Sequence, residues 1–162
     1  MSAPELPPHG IEVVLVHPEI PQNTGSIARL CAATGTRLHL VRPLGFSLED
    51  RYLKRAGLDY WPHVDLAVHE SWHDLTAALH LPMVFFSARA EPSFLAAPLG
   101  GEGPLAVVFG CETSGLPPEI AAAHRDALYR IPIFSPHVRS LNLANAVSIV
   151  LYDALRRRGR LG

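Results

Sequence analysis

Two short runs, Glu12–Val16 (EVVLV) and Leu105–Phe109 (LAVVF), constrain this chain more than any other feature. Apolar side chains at consecutive positions leave no polar face, so both sides of such a strand must be covered. Strands of that kind belong to parallel sheets flanked by helices. Met83–Phe86 (MVFF) reads the same way, Arg37–Val41 (RLHLV) is a further strand, and Leu66–Val68 and Leu128–Ile131 add two shorter candidates. Between them lie helical periods. Thr24–Ala33 puts Ile27, Leu30 and Cys31 on one face, and Leu48–Ala56 is a charged helix closed by Gly57. Ser71–Leu79 has Ser71 as its N-cap, Pro118–His124 has Pro118 near its first position, and Asn142–Arg158 is the longest. The alternation predicts an α/β fold: a single-domain, mostly parallel sheet flanked by helices over residues 11–162, after a loose proline-bearing arm, Met1–Gly10.

A length of 162 residues suits one domain. No apolar run reaches the roughly 18 residues of a membrane span, and the start lacks a signal pattern, so a cytoplasmic location is expected. Cys31 and Cys111 have no CxxC spacing and read as packed thiols. The nine histidines form no HxH or HExxH; His69 and His73 stand four apart without a third ligand, so no metal is expected. The net charge of −1 does not announce nucleic acid. Of the 14 basic residues only Lys54 is a lysine. Arginine forks suit phosphate oxygens, though genome composition can produce the same skew.

In open α/β sheets, ligands bind beyond the carboxyl ends of the strands. The segments there are HPEIPQNTG, SARA, GCETSGLPPE and PIFSPHVRSLN, mostly rich in glycine, proline and small polar residues. No GxGxxG, P-loop lysine or GxSxG accompanies them, which weakens dinucleotide, NTPase and α/β-hydrolase readings. Taken singly, each polar residue has a plain alternative. Glu112 suits a solvated strand-to-helix turn, Ser140 or Asn142 suits a helix cap, and Arg29 suits a surface charge.

Four stretches carry more together: PEIPQNTGSIARLCAATG, RAGLDYW, VFGCETSGLP and RIPIFSPHVRSLNLANAVSIVLYDA. In this order, from Ile11 to Arg157, they resemble the SPOUT class of knotted RNA methyltransferases. The RAGLDY stretch and short length are similar to its TrmL-type branch, the tRNA wobble-nucleotide (cytidine/uridine) ribose 2′-O-methyltransferases. Ser114 stands where relatives often carry a basic residue.

The resemblance implies a C-terminal trefoil knot and S-adenosyl-L-methionine as cofactor, bound by Phe86, Gly110, Ile131 and Ser140. Gly110 would then let backbone approach the ligand closely. It places Arg29, Asn23, Glu112 and Asn142 around the reacting groups. Arg29 matches an arginine credited with activating the hydroxyl. A guanidinium is a poor proton acceptor, so holding phosphate and hydroxyl and stabilising alkoxide charge is the chemistry expected of it. Asn23 would hold that arginine or the ribose. The implied partner is tRNA, the alternatives being a ribosomal RNA 2′-O-methyltransferase or an inactive RNA-binding assembly factor on the same fold.

A homodimer is also implied, with each site composed from two subunits. Leu143, Val147, Val150, Leu151, Ala154 and Leu155 form an apolar stripe on the last helix that either joins two copies or packs on the chain's own sheet. Tyr152 is the expected interface residue. Arg51, Lys54, Arg55 and Arg139 from both copies would line a shared RNA surface.

Overall fold

A computed structural model describes residues 8–57 and 60–162. Among these residues six strands, β1 (Ile11–Val16), β2 (Arg37–Val41), β3 (Leu66–His69), β4 (Met83–Phe86), β5 (Leu105–Phe109) and β6 (Leu128–Tyr129), form one sheet in the order β3-β2-β1-β5-β4-β6. Every pairing is parallel; Val13, for instance, faces Leu38 on one side and Val107 on the other. The helices covering it are α1 (Pro21–Thr34), α2 (Arg51–Gly57), α3 (Trp72–Ala78), α4 (Pro118–Ala123) and α5 (Leu143–Arg157).

The strand pattern sorts the core by parity. Val13 and Leu15 of β1 and Val107 of β5 point to one face, where Ile27, Ala28 and Cys31 of α1 and the stripe of α5 pack. Val14, Val16 and Val108 point to the other, under Leu75 of α3 and Ile120 of α4. All these side chains are buried, each contributing about 1.5–3 kcal/mol where a large aliphatic group leaves water. Burial alone pushes the Cys31 thiol up to about 12, as befits a packed cysteine.

The path of the chain locates the place where a ligand can enter. From β1 it runs outward through β2 and β3, then returns to place β5 on the other side of β1, with β4 and β6 beyond it. The strand order therefore reverses between β1 and β5, the kind of place at which open α/β sheets take their ligands.

Several boundaries differ from the sequence expectation. α1 begins at Pro21 rather than Thr24, because proline at the first helical position leaves no N–H without a partner. It ends at Gly35 (φ 63°), a left-handed turn that lets Thr36 donate to the Cys31 carbonyl. α2 starts at Arg51, not Leu48, since the Asp50 carboxylate accepts the N–H groups of Tyr52 and Leu53, and Gly57 is its last residue rather than its terminator. β6 stops at Tyr129; Arg130 makes only an isolated bridge to Ser93. Ser71 caps α3 as expected, accepting from the Asp74 N–H at 3.0 Å.

For the α5 stripe the structure decides between the two alternatives in favour of the chain's own sheet. Leu143, Val147, Val150, Leu151, Ala154 and Leu155 are at most 8% exposed within a single chain. A helix lying on a sheet needs its whole apolar face for that contact, so the stripe is not available to a second copy. What α5 leaves outside is Ile149 and Tyr152, 39% and 44% exposed.

Of the expected arm, residues 1–7 lie outside the described residues. Pro8–Gly10 are fastened: Arg158 donates to the His9 carbonyl at 2.8 Å, and Ile11 N–H donates to His9 Nδ1 at 3.1 Å. Among the described residues, no helix is long and apolar enough to cross a membrane.

Candidate active site

At the carboxyl edge of β1 and β5, side chains from three distant segments meet. After β1 the chain kinks at His17, whose φ of 57° is left-handed, while its N–H donates to the Val41 carbonyl at 3.0 Å. The next residues are pressed against the turn at Gly45: a Cβ there would lie 2.7 Å from the Glu19 Cα, so only glycine fits. Glu19 and Ile20 thus reach the amino end of α1 with N–H groups that no side chain of their own helix caps.

Glu112, from the loop after β5, satisfies them. Its Oε1 accepts from Glu19 N at 2.9 Å, and its Oε2 from Ile20 N at 2.8 Å and from Asn23 Nδ2 at 3.2 Å. A carboxylate at a helix amino terminus is also favoured by the helix dipole. Asn23, 9% exposed, passes the network on, its Oδ1 accepting from Asn142 Nδ2 at 3.1 Å. Asn142 in turn is the N-cap of α5, its Oδ1 accepting from Ala144 N and Asn145 N. Three of the four expected catalytic residues are therefore joined in one chain, Glu112–Asn23–Asn142. Their bonds position α1 and α5 against the loop after β5. Glu112 and Asn142 take one N–H and one lone pair of the Asn23 amide, and its second N–H is left for a further partner.

Arg29 stands apart from this network. Six residues beyond Asn23 it is about 9 Å further along α1, exposed, with its guanidinium carbon 4.7 Å from the centre of the Tyr60 ring. Sequence reasoning missed Tyr60 as a partner, and also missed Glu19 and Thr113. Thr113 donates to the Glu19 carboxylate from its N–H at 3.1 Å and its hydroxyl at 2.7 Å. Hydrogen bonds from the Cys111 thiol and from Thr113 hold the Glu19 carboxyl below the usual carboxylate range. An acid just ahead of a helix-opening proline was a visible signal for Glu19; its partner 94 residues away was not.

Of the four expected cofactor residues, Phe86, Gly110 and Ile131 lie at or just past the ends of the adjacent strands β4, β5 and β6, and Ser140 lies just before α5. Phe86 is buried and stacks on Phe109 with ring centres 5.1 Å apart; Ile131 is half-buried against the core; Ser140 is exposed. Between Ile131 and Ser140 the backbone has no helix or strand. Apolar side chains beside unladdered amide and carbonyl groups match what a purine nucleoside asks of a site. Gly110 has a structural part as well. A Cβ there would lie 2.1 Å from the Gly115 carbonyl carbon and the Leu116 nitrogen, so the glycine admits the chain's own backbone.

The expected RNA-contacting cations are all exposed. Lys54 pairs with Glu49 at 2.6 Å, and the Arg51 guanidinium sits 4.9 Å from the Tyr52 ring centre while donating to its hydroxyl. Arg55 shares α2 with them, a helix packed on α1, whereas Arg139 lies in the segment before α5.

Known proteins share this fold. The model of the SpoU rRNA methylase family matches residues 10–152. The chain is 48% identical to the tRNA (cytidine(34)-2′-O)-methyltransferase of Methylovorus glucosotrophus (strain SIP3-4), over 93% of this chain and 97% of that protein. A solved structure concerned with 2-OH methylation of C/U34 on tRNA has a TM-score of 0.83 and 50% identity, covering 92% of this chain and 96% of that one. The AdoMet-bound rRNA methyltransferase from Sinorhizobium meliloti gives a TM-score of 0.79 at 27% identity, covering 90% of this chain and 56% of that one. The six-stranded parallel sheet and helices are those of SPOUT methyltransferases. The chain belongs to the SpoU rRNA methylase family.

Proposed function

We propose that the protein transfers a methyl group from S-adenosyl-L-methionine to the ribose 2′-hydroxyl of the wobble nucleotide, cytidine or uridine 34, of a tRNA. The observation that carries this is near end-to-end likeness to relatives named for that reaction, combined with the Glu112–Asn23–Asn142 network at the carboxyl edge. The family description names rRNA, but the chain matches only 56% of the rRNA methyltransferase and nearly the whole of the tRNA enzyme. The cytoplasm is where such an enzyme would meet its tRNA.

Phe86 and Ile131 would wall the adenine, and the backbone from Ile131 to Ser140 would supply hydrogen bonds to it. When bound, S-adenosyl-L-methionine supplies a methyl group on a positively charged sulfur, leaving a neutral thioether after transfer. The chain's own residues do the positioning. The Arg29 fork holds a phosphate and the ribose hydroxyl, and stabilises negative charge on that oxygen as its proton leaves to solvent. Asn142 fixes the start of α5 beside Ser140. The Glu112 network keeps α1, and with it Arg29, at a set distance from the cofactor loops.

Since Arg29 does not join the network of its own chain, we read the working unit as a homodimer in which one copy's Arg29 meets its partner's cofactor loops. Exposed Ile149 and Tyr152 of α5, with Phe134 and Val138 of the preceding segment, support an association surface there. We also read the segment before α5 as the threaded part of a trefoil knot. In support, Arg157 and Arg158 bind carbonyls of Phe94, Leu99, Gly100 and Gly103, fastening α5 to the β4–β5 connection.

Tritium transfer from labelled S-adenosyl-L-methionine to tRNA, with subsequent nucleotide mapping, tests the reading. Label in a 2′-O-methyl group at position 34, abolished in Arg29→Ala with cofactor affinity unchanged, is expected. Label on ribosomal RNA instead would reassign the substrate. Cofactor binding without transfer to any RNA would leave an assembly factor.

A further inference from the structure

We propose that Tyr60 is a positioning residue for Arg29, its ring acting as the platform against which the guanidinium is held before RNA arrives. The inference rests on the reading of Arg29 as the group that grips phosphate and hydroxyl. The guanidinium carbon stands 4.7 Å from the ring centre, inside the ≈ 6 Å reach of a cation–π contact. Arg29 is otherwise an exposed side chain on the outer face of α1. A free arginine has several rotors to freeze when it binds, and a partner that restrains them beforehand removes part of that cost.

The ring itself is anchored. Tyr60 is half-buried and opens a single 3-10 turn, Trp61–His63, in which His63 N–H donates to the Tyr60 carbonyl at 2.8 Å. Trp61, next in the chain, packs against the main core beneath α1. A flexible cation thus rests on an aromatic face tied to the core by its neighbour. The face takes up one side of the guanidinium plane, and the N–H donors around its edge stay available for phosphate oxygens and the ribose hydroxyl. The RAGLDYW stretch gains a physical role at its tyrosine; Leu58 and Asp59 of the same stretch lie outside the described residues.

The test compares Tyr60→Phe, Tyr60→Leu, Tyr60→Trp and Arg29→Ala in steady-state methylation of a tRNA transcript, with cofactor affinity by calorimetry and thermal unfolding in parallel. Tyr60→Phe keeps the face and should hold kcat within about twofold of wild type, as should Tyr60→Trp. Tyr60→Leu should lower kcat about tenfold, the scale of one such contact, while cofactor affinity and melting temperature stay unchanged. A phenylalanine variant as slow as the leucine variant would overturn the proposal, and so would a leucine variant with wild-type kcat beside an inactive Arg29→Ala. Loss of melting temperature and cofactor affinity in step with kcat would show a merely structural tyrosine and overturn it too. If the leucine variant does not fold, the phenylalanine and tryptophan variants decide: slow turnover in both refutes the platform. Normal turnover in Arg29→Ala is a separate failure, that of the reading beneath.

Discussion

Glu19 and Glu112 each hold the other's loop: the Glu112 carboxylate accepts the N–H of Glu19 at 2.9 Å, and the Glu19 carboxylate accepts the N–H of Thr113, the residue after Glu112, at 3.1 Å. Two carboxylates side by side repel, and here N–H and O–H donors offset that repulsion, five of them counting the Thr113 hydroxyl and the Asn23 amide. The bracket spans the point where the strand order reverses, so it fixes how the loops after β1 and β5 stand to one another there. Glu112 thereby holds the start of α1 and Asn23 in place.

Replacing Glu112 by glutamine keeps its shape but turns one accepting oxygen into an NH2 group facing N–H donors. The loss should amount to about 1–3 kcal/mol of unfolding free energy, the usual cost of leaving such groups unsatisfied. Urea unfolding without cofactor measures it, and methylation should fall as α1 loosens. Wild-type stability with abolished transfer would instead assign Glu112 a direct chemical role.

Gly110→Ala should damage the protein before any ligand is added. Its Cβ would be placed 2.1 Å from backbone atoms of Gly115 and Leu116, contacts that no rotamer can relieve. A destabilisation of about 3 kcal/mol or more is expected from overpacking against main chain. Thermal unfolding of cofactor-free protein reads it out. An unchanged melting temperature with weakened cofactor binding would restore the ligand-approach role expected from sequence.

The sheet was legible because parallel strands announce themselves as apolar runs. β4 and β5 fall at the expected residues, and the loops after β1, β4, β5 and β6 were visible as the place for chemistry. Glu112, Asn23 and Asn142 were found through resemblance, but their connection was not, since it runs over 89 and 119 residues of sequence. The stripe on α5 could be read for its width and not for its occupant: periodicity tells that a face is apolar, while only packing tells whose apolar surface it meets. Gly110 was singled out for the absence of a Cβ; the neighbour that the structure adds is the chain's own backbone, because a close approach of residue 110 to residues 115 and 116 leaves no trace in composition.

Acid should destabilise the fold through His9. Burial lowers its pKa below the ordinary 6.5, and its Nδ1 accepts the Ile11 N–H, a bond that protonation would replace by repulsion. With the folded pKa depressed, the unfolded chain binds more protons in the window just below 6.5, so unfolding free energy rises with pH there. The stability is fully present above that value and is lost as pH falls toward the folded pKa. His69, lowered by burial and by His39, acts in the same direction. Melting temperatures should fall between about pH 7.5 and 5.5, and the slope should flatten in His9→Gln. A slope identical to wild type in that variant would remove His9 from the account.

Adjacent residues of α5 offer the cleanest separation of folding from association. Leu151 is fully buried against the chain's own sheet, and Tyr152, about 100° further round the helix, is 44% exposed. Leu151→Ala should cost about 2–5 kcal/mol of stability through the cavity it leaves, whatever the oligomeric state. Tyr152→Glu changes no core contact, so the fold should persist with near-normal secondary structure. A carboxylate buried between two copies, by contrast, would be desolvated without a partner, which is severe enough to break association. Light scattering at micromolar concentration should then show a dimer for the wild type and a monomer for Tyr152→Glu. Loss of methylation should accompany the monomer, because each site would lack the second copy's Arg29. A wild-type monomer with full activity would refute the two-copy site, and a Tyr152→Glu variant that remains dimeric would move the interface to another face of the molecule.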